Sequence, residues 1–240
     1  MNIALIGYGK MGKAIEQLAK SEGHHITGRM TSANRGDWAE LEGADVAIEF
    51  TNPKSAPDNL LACLERNVPV VTGSTGWYER LDQIKTRFEK ENGALVYATN
   101  FSIGVNLAME LNRKLAALMN DYPEYKPAIS ETHHTEKLDS PSGTAITLAE
   151  ELIEELSSKN RWVNSKSDEA QTLPVVSHRE PGVHGTHEIT YTSDCDEIKL
   201  VHTAKSRDGF AKGALLSAEW VTGKKGVYTI KDVLNLNQRT

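Results

Sequence analysis

The chain has 240 residues, 39% of them hydrophobic and 25% charged, with a formal net charge of -6 at pH 7. That length supports one large domain or two small ones without covalent staples, and the acidic balance argues against a protein whose affinity comes from neutralising nucleic-acid phosphates. Cys63 and Cys195 lack any paired-thiol spacing, no run approaches the ~20 apolar residues of a membrane span, and MNIALIGYG lacks the make-up of a secretory signal; two reduced thiols and a cytoplasmic location are the expectations.

In chain order, NIALIG reads as a strand, followed by a helix from about Lys10. HHITGRM, DVAIEFT, VPVVTGS and ALVYAT read as further strands, with helices near residues 55–66 and from Trp77 between them. Short apolar runs alternating with amphipathic stretches predict βαβ units around a parallel sheet. VPVVTG is apolar at nearly every position, as expected where helices cover both faces of a sheet. IGVNLAMELNRKLAALM has a strong helical period, with Val105, Met109, Leu115 and Leu118 assigned to one stripe.

After Pro123 the pattern changes. YKPAISETHH is extended and leads into the helix SGTAITLAEELIEEL, where Ile146, Ala149, Leu152 and Leu156 fall at helical spacing. SSKNRWVNSKSDEAQ is polar and aperiodic and reads as an exposed connection. LPVVSHRE, THEITYTS and DEIKLVHTA predict three strands of an antiparallel or mixed sheet; FAKGALLSAEWV is helical, and YTIKDVLNL is a last amphipathic piece. The expected fold class is α/β. A Rossmann-like parallel-sheet, dinucleotide-binding domain over 1–102 is completed by 207–240, and an inserted α+β substrate-binding and oligomerisation domain spans 103–206.

GYGKMG, residues Gly7, Tyr8, Gly9, Lys10, Met11 and Gly12, is a full G-x-G-x-x-G that follows a strand and opens a helix. The first glycine serves the tight turn, the second lets backbone approach a pyrophosphate, the third permits close helix packing, and the helix N-terminus offers amides to the anion. An NAD-selective fold places an Asp or Glu about 20 residues further on to hold the ribose. ITGRMTSANR contains no acid there but does contain Arg29 and Arg35, and a guanidinium suits a 2′-phosphate. Arg29 is therefore the expected cofactor contact, with NADPH or NADH as cofactor. TGST, ending in Gly73, Ser74 and Thr75, and Ala98, Thr99, Asn100 and Phe101 fall just after apolar strands, where ligands bind in open α/β sheets.

ETHHTEKLDSPSGTA, Glu131 to Ala145, gathers His133, His134, Lys137 and a Ser-Gly-Thr helix opening. Neighbouring histidines on an extended segment point to opposite faces, and there is no His pair at helical spacing, so no metal site is expected. The start of the helix after Ser142 would present amides to an anion. Lys137 adds a cation, and the His pair adds groups that titrate near neutral pH. Together these describe a carboxylate pocket with a proton donor. Ser142 lacks the surroundings of a hydrolytic nucleophile.

These residues resemble the dihydrodipicolinate reductase family at every fixed position of E-x-H-H-x-x-K-x-D-x-P-S-G-T-A. The resemblance continues through GYGKMG, FTNP, TGSTG, TNFSIGVN, REPGVHGTHEI and AKSRDGFAKGAL, in order from end to end. It implies hydride transfer from NADPH or NADH to a cyclic imine dicarboxylate in the diaminopimelate and lysine pathway. It also implies His133 as proton donor, Lys137 as a cationic substrate-site group, and His134, Gly143 and Thr144 as substrate contacts, with Arg179 and His187 as secondary candidates. It further implies a homotetramer joined through the second domain's sheet, with a small-molecule dicarboxylate and neither nucleic acid nor membrane as partner. The chain is somewhat short for the family, and the acidic ribose residue of some members is missing. Two readings compete: a related amino-acid dehydrogenase, and a redox sensor that binds NAD(P)H without turnover.

Overall fold

The computed structural model describes residues 1–237; residues 238–240, the last three of the segment assigned to the first domain, lie outside the described residues. Two compact units are formed, one from Met1–Ile103 with the C-terminal segment that begins at Arg207, the other from Gly104–Ser206. No helix among the described residues is long and apolar enough to cross a membrane.

The first unit opens with β1 (Asn2–Ile6), α1 (Lys10–Ser21), β2 (His25–Met30), β3 (Val46–Glu49), α2 (Ala56–Glu65), β4 (Val70–Thr72), α3 (Leu81–Lys90) and β5 (Ala94–Tyr97). The helix expected from Trp77 is a single tight 3-10 turn over Tyr78–Arg80 before α3 begins. In the second unit, α4 (Ile103–Met119) precedes β6 (Lys126–His133), α5 (Gly143–Glu155), β7 (Arg161–Val163), β8 (Thr172–Arg179), β9 (Thr186–Thr192) and β10 (Glu197–Thr203). The chain then returns to the first unit as α6 (Asp208–Val221), β11 (Gly226–Thr229) and the single turn α7 (Ile230–Val233).

The first sheet runs β11-β5-β4-β3-β1-β2, with every pairing parallel. Strand order reverses at β1, which has β2 on one side and β3 on the other. The period of two assigns alternate residues of each strand to two separate cores. Ile3, Leu5, Val46, Ile48 and Val96 pack with α1 and α6. Ala4, Ile6, Ala47, Val70 and Leu95 pack with α2 and α3. A strand covered on both faces has no polar side to show, which is why these segments read as continuous apolar runs.

The second sheet is mixed, in the order β10-β9-β6-β8-β7: β6 runs parallel to β8 and antiparallel to β9. Its helix-covered face carries Ile129, Leu173, Val175, Ile189 and Tyr191, packed with residues of α4 and α5. Two expectations change here. The polar connection contains β7, a three-residue edge strand parallel to β8, too short and too exposed to leave a periodic signal. The last amphipathic piece is divided between β11, which extends the parallel sheet beside β5, and α7. On α4 the buried stripe runs Val105, Met109, Asn112 and Ala116, with Leu115 partly buried, whereas Leu118 is 66% exposed. At 100° per residue Leu118 falls on the opposite side from Val105, beside the exposed Leu107 and Leu111.

One close approach connects α6 to the segment after β5. A Cβ on Gly213 would lie 1.7 Å from the carbonyl oxygen of Phe101. Gly213→Ala must displace either α6 or residues 98–101. The expected cost is about 1–3 kcal/mol, typical of overpacking, read as a lowered thermal midpoint; an unchanged midpoint would show that the approach is not tight.

Candidate active site

Each unit carries a polar cluster at the ends of its strands. In the first, Gly7 has φ +95°, and a Cβ there would sit 2.1 Å from the Phe50 carbonyl oxygen, so the turn after β1 requires glycine. Gly12 is equally confined, its Cβ position lying 2.3 Å from the Gly7 carbonyl oxygen, which draws α1 against the strand end. Gly9, the N-cap of α1, makes no side-chain cap, and its Cβ position faces open space. That exposed N-terminus, with Lys10 and Met11 in its first turn, is the cradle a pyrophosphate needs. A cavity of about 310 Å³ adjoins it, bounded by Gly7, Tyr8 and Gly9, by Thr31 and Arg35 beyond β2, and by Asn52 beyond β3. It lies where the strand order reverses, as nucleotide sites do in this architecture.

Arg29, the sequence-level choice for a 2′-phosphate, is held by Glu16 of α1 through its Nε (2.9 Å) and Nη2, with the Tyr8 ring 5.8 Å from the guanidinium carbon. Glu16 also accepts from Tyr8 Oη and pairs with Lys20. Arg29 above all holds this carboxyl well below the usual carboxylate range, against the effect of burial. Arg35, by contrast, lines the cavity.

A second buried acid, Glu49, ends β3. It accepts from the Thr51 amide (3.1 Å), Ser74 Oγ (3.0 Å), Thr72 Oγ1 (2.5 Å) and Asn59 Nδ2 (3.4 Å). One carboxylate thus joins the loop after β3 to the Gly73–Thr75 loop after β4. A Cβ on Gly73 would meet the Phe50 ring at 2.1 Å, and Phe50 packs edge-on against Phe101 with centroids 6.0 Å apart. Thr75 and Thr99 are exposed, Ala98 is buried, and Asn100 accepts from the Ser102 amide at 2.8 Å.

In the second unit the cluster grows from β6. Glu131 and His133 are two residues apart on one strand and so share its helix-facing side. The Glu131 carboxylate is fully buried and lies against Nδ1 of His133. It also accepts from the Ser142 amide (3.2 Å) and from Arg179 Nη1 (3.1 Å). Burial would raise this carboxyl, but His133, Ser177 and Arg179 outweigh it and hold the group well below the usual carboxylate range. Ser142 N-caps α5, its Oγ accepting from the Ala145 amide (3.1 Å) and lying 3.1 Å from His187 Nε2. Gly143 follows as an exposed first helical residue, with Thr144 half-buried behind it.

Arg179 reaches onward to the carbonyl oxygens of Asp139 (2.6 Å) and Lys137 (3.4 Å), pinning the loop between β6 and α5. Within that loop Lys137 Nζ donates to both carboxylate oxygens of Asp139 at 2.9 Å. His134, next along from His133, is half-buried, with its Nδ1 enclosed and unpartnered. Lys137, His134, Gly143 and Thr144 thus belong to the turn and helix start that follow His133.

Glu131, His133 and His187 offer ligand atoms within 4.8 Å of one another, a grouping invisible to sequence spacing because it spans β6 and β9. The carboxylate is already engaged by an arginine, an amide and an imidazole, so its neighbours compensate its charge without a metal ion. In the sequence Glu131 is marked only by its two-residue spacing from His133 on a strand. For Glu49 the signal was an acid closing an otherwise apolar run.

Burial first, then His133 nearby, lowers the His187 pKa from 6.5 to about 4, so the ring is neutral in the folded protein near neutral pH. The unfolded chain binds the extra proton below about 6.5, so this contribution to stability is complete above that pH and is lost as pH falls towards 4. Replacing His187 with Asn should flatten the unfolding free energy between those limits by roughly 2–3 kcal/mol at most. Chemical denaturation at pH 7, 5.5 and 4.5 measures it; parallel slopes for both proteins would refute the assignment.

Comparison with known proteins agrees across both units. Residues 1–101 match the family model described as dihydrodipicolinate reductase, N-terminus, and residues 104–234 match its C-terminus. A 4-hydroxy-tetrahydrodipicolinate reductase of Christiangramia forsetii is 45% identical over 236 residues, covering 98% of each chain. One from Alkaliphilus oremlandii is 32% identical, covering 98% of this chain and 99% of that protein. Among solved structures, a dipicolinate-bound dihydrodipicolinate reductase from Paenisporosarcina sp. TG-14 superposes with a TM-score of 0.78 at 25% identity, covering 97% of this chain and 98% of that one. An amine dehydrogenase from Mycobacterium smegmatis, at 12% identity and a TM-score of 0.63, shares the fold alone. With both units matched and the relatives covered almost end to end, the chain belongs to the dihydrodipicolinate reductase family.

Proposed function

We propose that the protein is an NAD(P)H-dependent oxidoreductase that reduces the cyclic imine dicarboxylate of the diaminopimelate and lysine pathway, supplied as 4-hydroxy-tetrahydrodipicolinate, to tetrahydrodipicolinate. The observation that carries this reading is the pairing of His133 with the buried Glu131 beside the N-terminus of α5. It places a proton donor beside a helix start suited to a carboxylate. A relative with dipicolinate bound supports the same ligand class.

The first unit is assigned to the cofactor, which supplies the hydride, and the second to the substrate. Gly7, Gly9 and Gly12 clear the approach to α1, whose N-terminal amides hold the pyrophosphate. Glu49 sets the Ser74 and Thr51 loops towards the nicotinamide side. In the second unit Gly143 and Thr144 at the helix start bind a substrate carboxylate, with Lys137 as a cation and His134 as a further contact. His133 donates the proton as hydride arrives, and Lys137 stabilises the charge that develops on the ring. An amino-acid dehydrogenase has no need of the E-x-H-H-x-x-K and P-S-G-T-A pairing, and a sensor has no need of a proton donor.

We also assign a cytoplasmic homotetramer. The face of the second sheet opposite α4 and α5 carries the part-exposed Ser130, Glu188 and Thr190 and the half-exposed Val201, and α4 exposes Leu107, Leu111 and Leu118 along one stripe. A second copy of the chain would cover such surfaces.

NADPH or NADH should be oxidised only when the product of the preceding synthase is supplied; cofactor binding without turnover would favour the sensor. His133→Gln should lower kcat by about 10²-fold or more, and near wild-type turnover would remove the donor role. Lys137→Ala should lower kcat/KM for the dicarboxylate, and a preserved value would reduce it to a surface lysine. For the cofactor, Arg35→Ala should lower the NADPH to NADH ratio of kcat/KM by about tenfold, the worth of one charge-assisted contact, and Arg29→Ala by less, because Glu16 already engages that guanidinium. The reverse order would return the 2′-phosphate to Arg29.

A further inference from the structure

We propose that Glu131 is the positioning residue for proton delivery: it holds the Nδ1–H of His133 and so makes Nε2 the atom that releases the proton. The proposal rests on the reading of His133 as the donor. A neutral imidazole carries one N–H, and which nitrogen bears it is decided by the partner of the other. Glu131 presents Oε2 to Nδ1, while Oε1 receives the Ser142 amide at 3.2 Å and Arg179 Nη1 at 3.1 Å. Amide and guanidinium can only donate, so the carboxylate remains an acceptor and Nδ1 keeps its hydrogen in both protonation states of the ring. The proton that leaves is therefore the one on Nε2.

The opposite edge of the ring is equally constrained. A Cβ on Gly185 would come within 2.9 Å of His133 Nε2 and 3.1 Å of Cδ2, so a glycine there is what leaves that nitrogen uncovered. The His187 ring stands edge-on, with centroids 5.1 Å apart, and burial keeps it neutral, so it adds no repulsion to the imidazolium. Among the described charged groups, Glu131 on its own strand lies against His133, Arg179 is its register partner on β8 and Glu180 donates its amide to the His133 carbonyl, while Lys137 and Asp139 on the loop that follows pair with each other. In the reaction, hydride from the reduced nicotinamide supplies both electrons. The Nε2–H bond breaks as the proton joins the reduced substrate, leaving a neutral ring still bound to Glu131 through Nδ1–H, and solvent restores the proton on Nε2.

Two measurements test this. Long-range ¹H–¹⁵N correlation on the wild-type protein should show neutral His133 as the Nδ1–H tautomer; the Nε2–H tautomer would overturn the proposal, and this readout needs no variant to fold. In kinetics, Glu131→Gln keeps the shape but removes the charge. It should lower kcat at least tenfold with KM for the dicarboxylate changed only a few-fold. Glu131→Asp should restore part of that kcat loss, a split between kcat and KM that a purely structural role does not give. Wild-type kcat in Glu131→Gln, alongside a His133→Gln that loses turnover, would overturn the proposal and leave the donor reading intact. Wild-type turnover in His133→Gln would remove the donor reading itself.

Discussion

A carboxylate with no access to water must find its counter-charge and hydrogen bonds within the protein, and the second unit is organised around that demand at Glu131. Its partners come from separate stretches of chain: His133 two residues along the strand, the Ser142 amide at the start of α5, and Arg179 on the neighbouring strand. Each element that could drift is thereby referred to one fixed charge. The end of β6, the cap of α5 and, through Arg179, the backbone of the Lys137–Asp139 turn are all tied to the same carboxylate. Withdrawing any one partner leaves a buried charge short of a ligand, a larger loss than the pair itself is worth.

Glu49 shows the same physics with different partners. It is as buried as Glu131 but is surrounded by hydroxyls, an amide and a side-chain carboxamide rather than by an arginine. Such donors satisfy the lone pairs without cancelling the charge. The arrangement ties the loop after β3 and the loop after β4 to one carboxylate. Arg29 illustrates the converse: a cation of the right type in the right stretch is occupied by Glu16, because β2 and α1 bring the two within bonding distance.

Much of the fold could be read from periodicity. The two-sided parallel strands announced themselves as uninterrupted apolar runs, and the apolar stripe of α5 at helical spacing. The features that escaped are those whose stability comes from partners elsewhere in the chain. β7 and β11 are three and four residues long and exist because β8 and β5 offer them an edge. Leu118 shares the apolar character of the buried stripe of α4, but the helical angle carries it to the other side, where Leu107 and Leu111 are also exposed.

For the site, the sequence by itself determined the local chemistry: a glycine turn entering a helix, a histidine closing a strand, and a serine-capped helix start. These depend on neighbours within a few residues, and backbone geometry makes such relations readable in one dimension. Only the tertiary structure decided which groups share a charge. Glu131 with Arg179, Ser142 with His187, and Glu16 with Arg29 are separated by 48, 45 and 13 residues. Strand register and helix packing bring each pair together, and no local preference specifies either one.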